Sequence, residues 1–219
     1  VITWWKIAGV LLVLYAIIGG LLLPVPDLAI LEQSIRNLYF HVPMWFGMLL
    51  LLLASMVQSI RYLSSSDMSR DLKASEYANA GLLFGIMGLV TGMLWAKNTW
   101  GAYWTNDPKL NSAAIGVLMY LAYTVLRNSI EDEEKKARVS AVYNIFCFPV
   151  FAVLIFVLPR LTDSLHPGNG GNPGFNSYDL DSRLRMVFYP AVLGWTLMGF
   201  WLADLRIRVT QLELKQYTS

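Results

Sequence analysis

The 219-residue sequence contains only two histidines, His41 in "NLYFHVPMWFG" and His166 in "RLTDSLHPGNGGNPGFNSYDLDSR". A neutral imidazole is a strong donor to iron, and two of them can close an octahedral heme site from opposite faces. Zinc would need four protein ligands for a structural site, or three with one open position. Asp107, Asp163, Asp179 or Asp181 would have to complete such a set, so zinc is the poorer fit. Each histidine also has a plainer reading, His41 as an interfacial cap beside Pro43 and His166 as the start of a surface turn. Being the only imidazoles favours pairing them.

The second group of residues is aromatic. Residues 95–109 read "WAKNTWGAYWTNDPK", in which Trp95, Trp100, Tyr103 and Trp104 would give an apolar floor for a porphyrin. Tryptophan and tyrosine also gather at membrane–water boundaries, so an aromatic belt is the competing explanation. Gly101 and Asp107 fall among the rings in a connection too short to build a core of its own, which favours binding. Asp107 is suited to organising the loop through backbone hydrogen bonds without touching iron. Pro108 constrains the exit from the loop, and Lys109 or Arg36 is available to a propionate.

The elements that must position these groups are membrane spans. Hydrophobic residues make up 56% of the chain and charged residues 15%, against roughly 25% charged in soluble domains. The apolar content lies in six blocks, approximately Trp4–Leu23, His41–Leu63, Tyr77–Trp95, Leu110–Leu126, Val139–Leu158 and Leu184–Leu205. Each approaches the roughly 20 residues a helix needs to cross the hydrocarbon. The expected fold is therefore an all-α integral membrane protein of six transmembrane helices, with residues 1–219 as one domain. The first block runs long and lacks a small-residue cleavage pattern, so it reads as a span rather than a removable leader. Gly81, Gly85 and Gly88 lie near one face of the third span, where small residues permit close helix contact.

Eleven Lys and Arg residues fall on the side of the termini and six on the opposite side, which predicts cytoplasmic termini. The acidic-basic run "EDEEKK" then reads as a solvated cytoplasmic turn. Both histidines and the Trp-rich loop share the outer side. A net charge of +2 without a basic stripe gives no nucleic-acid surface, and the single Cys147 rules out an intramolecular disulfide.

At these residues the chain resembles cytochrome c maturation protein C, also called heme exporter protein C, a family within the tryptophan-rich membrane heme-handling proteins. "FHVP" is similar to the family's first-histidine region, "LHPG" stands in the place of the second histidine, and "TGMLWAKNTWGAYWTNDPKL" resembles the outward signature. The family signature reads Trp-Gly-x-x-Trp-x-Trp-Asp-x-Arg. Trp100, Gly101, Trp104 and Asp107 match it, while Asn106 stands in place of the third Trp and Lys109 in place of Arg. The resemblance implies axial roles for His41 and His166 and a heme platform of Trp100, Trp104 and the loop around Asp107. It implies heme b held noncovalently at the periplasmic face of a bacterial inner membrane and presented to a membrane-tethered heme chaperone. The implied partners are a small single-span subunit and the subunits of an ATP-binding cassette transporter.

The chain has no GxxxxGK[ST] phosphate loop, so ATP hydrolysis would belong to a partner, and it lacks the CxxCH attachment motif. The expected function is heme binding and transfer rather than catalysis. The alternative is a membrane cytochrome b subunit exchanging electrons with quinone, although two histidines build at most one bis-histidine heme. A secondary transporter would favour inverted repeats, and none is apparent.

Overall fold

In lipid a backbone must satisfy its own polar groups, so spanning segments become helices. The computed structural model follows that rule; it describes residues 3–27, 31–158, 161–166 and 180–218, and among these there is no strand. The helices are α1 (Trp4–Leu22), α2 (Leu38–Ser65), α3 (Met68–Trp100), α4 (Pro108–Asn128), α5 (Glu133–Ala152) and α6 (Ser182–Thr218). A 3₁₀ turn over Glu32–Asn37 leads into α2, and α5 widens into a π turn at Val153–Val157. All six are long and apolar enough to cross a membrane.

Several helices outrun their apolar blocks. Helix α3 has 33 residues, about 50 Å at 1.5 Å per residue, and reaches Trp100 rather than stopping at Trp95. Helix α6 continues to Thr218 through a charged stretch. Lys, Arg, Glu and Gln are good helix formers, so hydropathy marks the hydrocarbon crossing and not the end of the helix. The boundaries are set by caps: Asp67 accepts from the Ser69 N–H at the start of α3, and Asp132 from the Lys135 N–H at the start of α5.

Helix α2 is central, packed against α3, α5 and α6, with α1 on α6 and α4 against α3 and α5. Its contact with α3 is a series of knobs and notches. A Cβ on Gly81 would come 2.9 Å from Leu52, one on Gly85 2.5 Å from Met48, one on Gly88 2.9 Å from Trp45, and one on Gly92 2.6 Å from His41. Both rows step by four and three residues, which keeps them on one helix face. The expectation of close packing at Gly81, Gly85 and Gly88 thus describes three members of a run that ends at a histidine.

The two ends of the bundle differ in chemistry. At the end holding the chain's N-terminal helix start, ion pairs tie the helices together: Lys6 to Asp204 at 2.9 Å, Arg206 to Glu76 at 2.6 Å, and Arg127 in a two-pronged pair with Asp71. These link α1 with α6, α3 with α6, and α3 with α4. The opposite end carries the aromatic loop and both histidines. Between them, Leu11, Ile18, Leu118, Val125 and Phe146 are exposed on the outer surface of the bundle, where a membrane protein meets acyl chains.

Candidate functional site

His41 lies within the first turns of α2 rather than ahead of it. Its ring sits over Gly92, with Trp45 edge-on at 6.2 Å. Nδ1 is 2.9 Å from the Gly88 carbonyl and 3.3 Å from the Thr91 hydroxyl. A carbonyl only accepts, so Nδ1 carries the proton and Nε2 keeps its lone pair. Asn37, the residue before α2, donates to the Thr91 carbonyl at 3.2 Å and pins the same two helix ends together.

His166 is held through Asp107. The carboxylate is buried and takes five donors: the backbone N–H groups of Lys109 (2.9 Å), Leu110 (3.3 Å) and Leu165 (2.7 Å), the Ser164 hydroxyl (2.9 Å) and His166 Nδ1 (2.9 Å). One side chain thereby caps α4, folds the segment before His166 and fixes the imidazole. Pro108 at the first helical position suits this cap, since its missing N–H would be unpaired there anyway. Here too Nδ1 donates, and Nε2 has no hydrogen-bond partner among the described residues.

The electrostatics agree with that assignment. Burial alone would raise the Asp107 carboxyl, but the Leu165 N–H, His166 and the Ser164 hydroxyl hold it below its ordinary value of 3.8. Burial holds the His166 imidazole below 6.5, outweighing the opposing pull of Asp107, and Lys109 pushes it the same way as burial. The pair is thus a carboxylate and a neutral imidazole near neutral pH.

The aromatic residues divide into two sets. Trp95 and Trp100 enclose His166, with ring centroids 5.9 and 4.7 Å from the imidazole and 5.2 Å from each other. Both stand on the last turns of α3, on rigid backbone instead of a loop. Tyr103 and Trp104 are 52% and 44% exposed, and Lys97 lies over the Tyr103 ring at 5.6 Å while donating to the Gly101 carbonyl. Gly101 ends α3 at φ +79°, a left-handed conformation in which glycine carries no steric cost.

Helix α3 brings the two histidines to one face. Gly88 and Gly92 seat His41, and Trp95, three residues beyond Gly92, packs on His166. Both imidazoles therefore lie against the same end of α3. Two Nε2 lone pairs without a hydrogen-bond partner among the described residues, with half-exposed Tyr103 and Trp104 rings at the same end, are the kind of groups a planar iron porphyrin takes. Among the described residues no three His, Cys, Asp or Glu side chains converge as a metal cluster. Asp181 pairs with Arg183 at 3.0 Å, Asp163 lines an open cleft of about 500 Å³ beside Asp107, and Asp179 and the run after His166 lie outside the described residues. Arg36 is committed elsewhere, donating to the Gly20 and Leu23 carbonyls at 2.7 and 2.9 Å and closing the end of α1. Lys109 acts electrostatically on His166.

A family model described as heme exporter protein C matches residues 1–218. The chain belongs to the heme exporter protein C family. Proteins of that name are 27% identical over 97% of this chain and 86% of the relative in Rhodobacter capsulatus. In Paracoccus denitrificans the values are 28% over 84% of this chain and 74% of the relative. A mitochondrial protein of Marchantia polymorpha, named as similar to this family and for cytochrome c biosynthesis, is 34% identical over 41% of this chain and 39% of its own length.

For this member of the heme exporter protein C family, sequence reasoning singled out Gly88 on the close-packed face of the third span but missed its carbonyl and the other groups that hold the rings. Gly88, Thr91, Gly92 and Asn37 set His41, and Ser164 helps Asp107 set His166. Gly92 carried a signal, since it continues the four-three spacing of Gly81, Gly85 and Gly88. Ser164 carried none.

Proposed function

We propose that this chain holds heme b noncovalently between His41 and His166, with Trp100, Trp104 and the loop around Asp107 as its platform. Heme is its cargo, handed to a membrane-tethered heme chaperone for cytochrome c maturation. The observation that supports this reading is that both histidines donate from Nδ1, to Gly88 and Asp107, which turns both Nε2 lone pairs, unpartnered among the described residues, toward iron at the same end of the bundle. The names of the relatives, heme exporter and cytochrome c biosynthesis, support the same role. Residues 1–219 act as one heme-handling unit, with both termini cytoplasmic and the site facing the periplasm across a bacterial inner membrane. The basic-residue bias supports that orientation. Its partners are a small single-span subunit and ATP-binding cassette subunits that hydrolyse ATP.

The chain's own groups set the chemistry. Gly88 and Asp107 hold the imidazoles as neutral ligands with the lone pair forward, and the indoles contribute apolar contact. The test is the optical spectrum of heme-loaded protein at matched membrane abundance. His41→Ala and His166→Ala should each lose the low-spin signature of two nitrogen ligands; spectra unchanged in both variants would remove the axial assignment.

A further inference from the structure

The two imidazoles are held by unequal partners. His166 donates to a full carboxylate at 2.9 Å, and the backbone and hydroxyl donors around Asp107 keep that carboxylate charged and fixed. His41 donates to the neutral Gly88 carbonyl, which also accepts from the Thr91 hydroxyl at 3.1 Å. A carbonyl inside a helix is further occupied by its own helical hydrogen bond. Charge-assisted hydrogen bonds are about twice as strong as neutral ones, and a carboxylate behind an imidazole raises its donor strength toward a metal.

Resting on the bis-histidine reading above, we infer that the site is built with one retaining and one releasing ligand: His166 keeps the iron, and His41 is the bond that opens when heme is handed on. Asp107 acts through His166 as a positioning residue. The surroundings agree. Trp95 and Trp100 pack on His166 at 5.9 and 4.7 Å, so the rings that contribute apolar contact stand beside the retaining ligand. His41 is seated against Gly92 and has one indole, Trp45, edge-on at 6.2 Å, where His166 has two at shorter range. A bond opening at His41 leaves the heme on the loop side, beside the exposed Tyr103 and Trp104, and vacates one iron position for an incoming ligand. The step is ligand dissociation: the Fe–Nε2 pair returns to His41, and iron goes from six ligands to five with no change in oxidation state.

Carbon monoxide tests which bond opens, because it binds ferrous heme by taking the more labile axial position. The Fe–C and C–O stretching frequencies of the adduct report the donor strength of the imidazole left opposite. The full chain loaded with ferrous heme b is compared with His41→Gly, which leaves only His166, and His166→Gly, which leaves only His41. The expected result is a wild-type adduct matching His41→Gly. Asp107→Asn should move those frequencies toward a neutral-imidazole value and raise heme loss by about 10- to 100-fold, the range for removing such a partner. Asparagine keeps one oxygen for the helix cap and His166 but turns an amide nitrogen toward the Leu165 N–H, so the frequencies are read at matched membrane abundance and heme loading. A wild-type adduct matching His166→Gly, or a mixture that Asp107→Asn leaves unchanged, overturns the inference while the bis-histidine reading stands. Low-spin spectra unaffected by either glycine variant overturn both.

Discussion

At the scale of the residue, Asp107 does more than its position in a loop suggests. Its carboxyl is held below the ordinary 3.8, so its contribution is fully present above that value and lost as pH falls through the lower folded value. Protection of the Leu165 amide relative to its intrinsic exchange rate should therefore hold from neutral pH down to about pH 4 and fall only below it. Heme should be lost at higher pH than that anchor, because a proton on His166 Nε2 competes with iron. Burial lowers the imidazole, so retention should persist somewhat below 6.5 before failing. Heme loss complete above pH 6.5 would contradict the sign of that shift. Trp100→Ala, which strips the ring 4.7 Å from His166, should lower heme retention by about fivefold to a hundredfold, from roughly 1–3 kcal/mol of lost contact. Trp4, 80% exposed on the opposite end, is the matched control. Asn106→Trp restores the ring of the family signature, but Asn106 accepts from Asn111 at 2.7 Å, so the new indole must displace a bond that steadies α4.

At the scale of the element, the α2–α3 contact decides where His41 points. A methyl on Gly92 would meet Cε1 at 2.6 Å and Nδ1 at 3.1 Å, atoms of a rigid ring with no room to yield. Gly92→Ala should therefore alter the low-spin spectrum with the membrane level intact. Gly85→Ala meets the flexible end of Met48 instead and should leave the spectrum near wild type; equal spectral damage from both would mean the notch is general packing. These elements were legible to different depths. Six spans followed from apolar length, and the two histidines stood out because imidazole is rare in this chain. The ends of α3 and α6 did not, since polar helix formers carry a helix past the hydrocarbon. The Gly88 carbonyl could not be read either: a backbone oxygen has no letter, and only the packing of two helices turns it toward a ring.

At the scale of the whole molecule, the ion pairs at one end hold the bundle that frames the site at the other. Asp71 and Arg127 are both largely buried. Asp71→Leu leaves a guanidinium without its partner and should cost about 3–5 kcal/mol, whereas Asp71→Leu with Arg127→Leu should be milder. Thermal unfolding in detergent separates the two, and a double variant no better than the single would put the cost in packing instead. Orientation is checked at Leu161, 77% exposed between α5 and α6. Leu161→Cys with Cys147→Ser should react with an impermeant thiol reagent from the periplasmic side, and reaction from the cytoplasm alone would reverse the bundle.

Because Gly88, Gly92, Trp95 and Trp100 share one uninterrupted helix, the site also has an angular phase. Each residue inserted into an α-helix turns everything beyond it by about 100°. One alanine inserted between Gly92 and Trp95 would leave His41 seated and all six spans in place, yet swing both indoles away from His166. Four inserted residues make slightly more than one turn, at about 400°, and would bring the indoles back near the same face about 6 Å farther along. Heme retention across insertions of one to four residues should thus fall at one and two and partly return at four, tracing the pitch of α3 in a binding measurement.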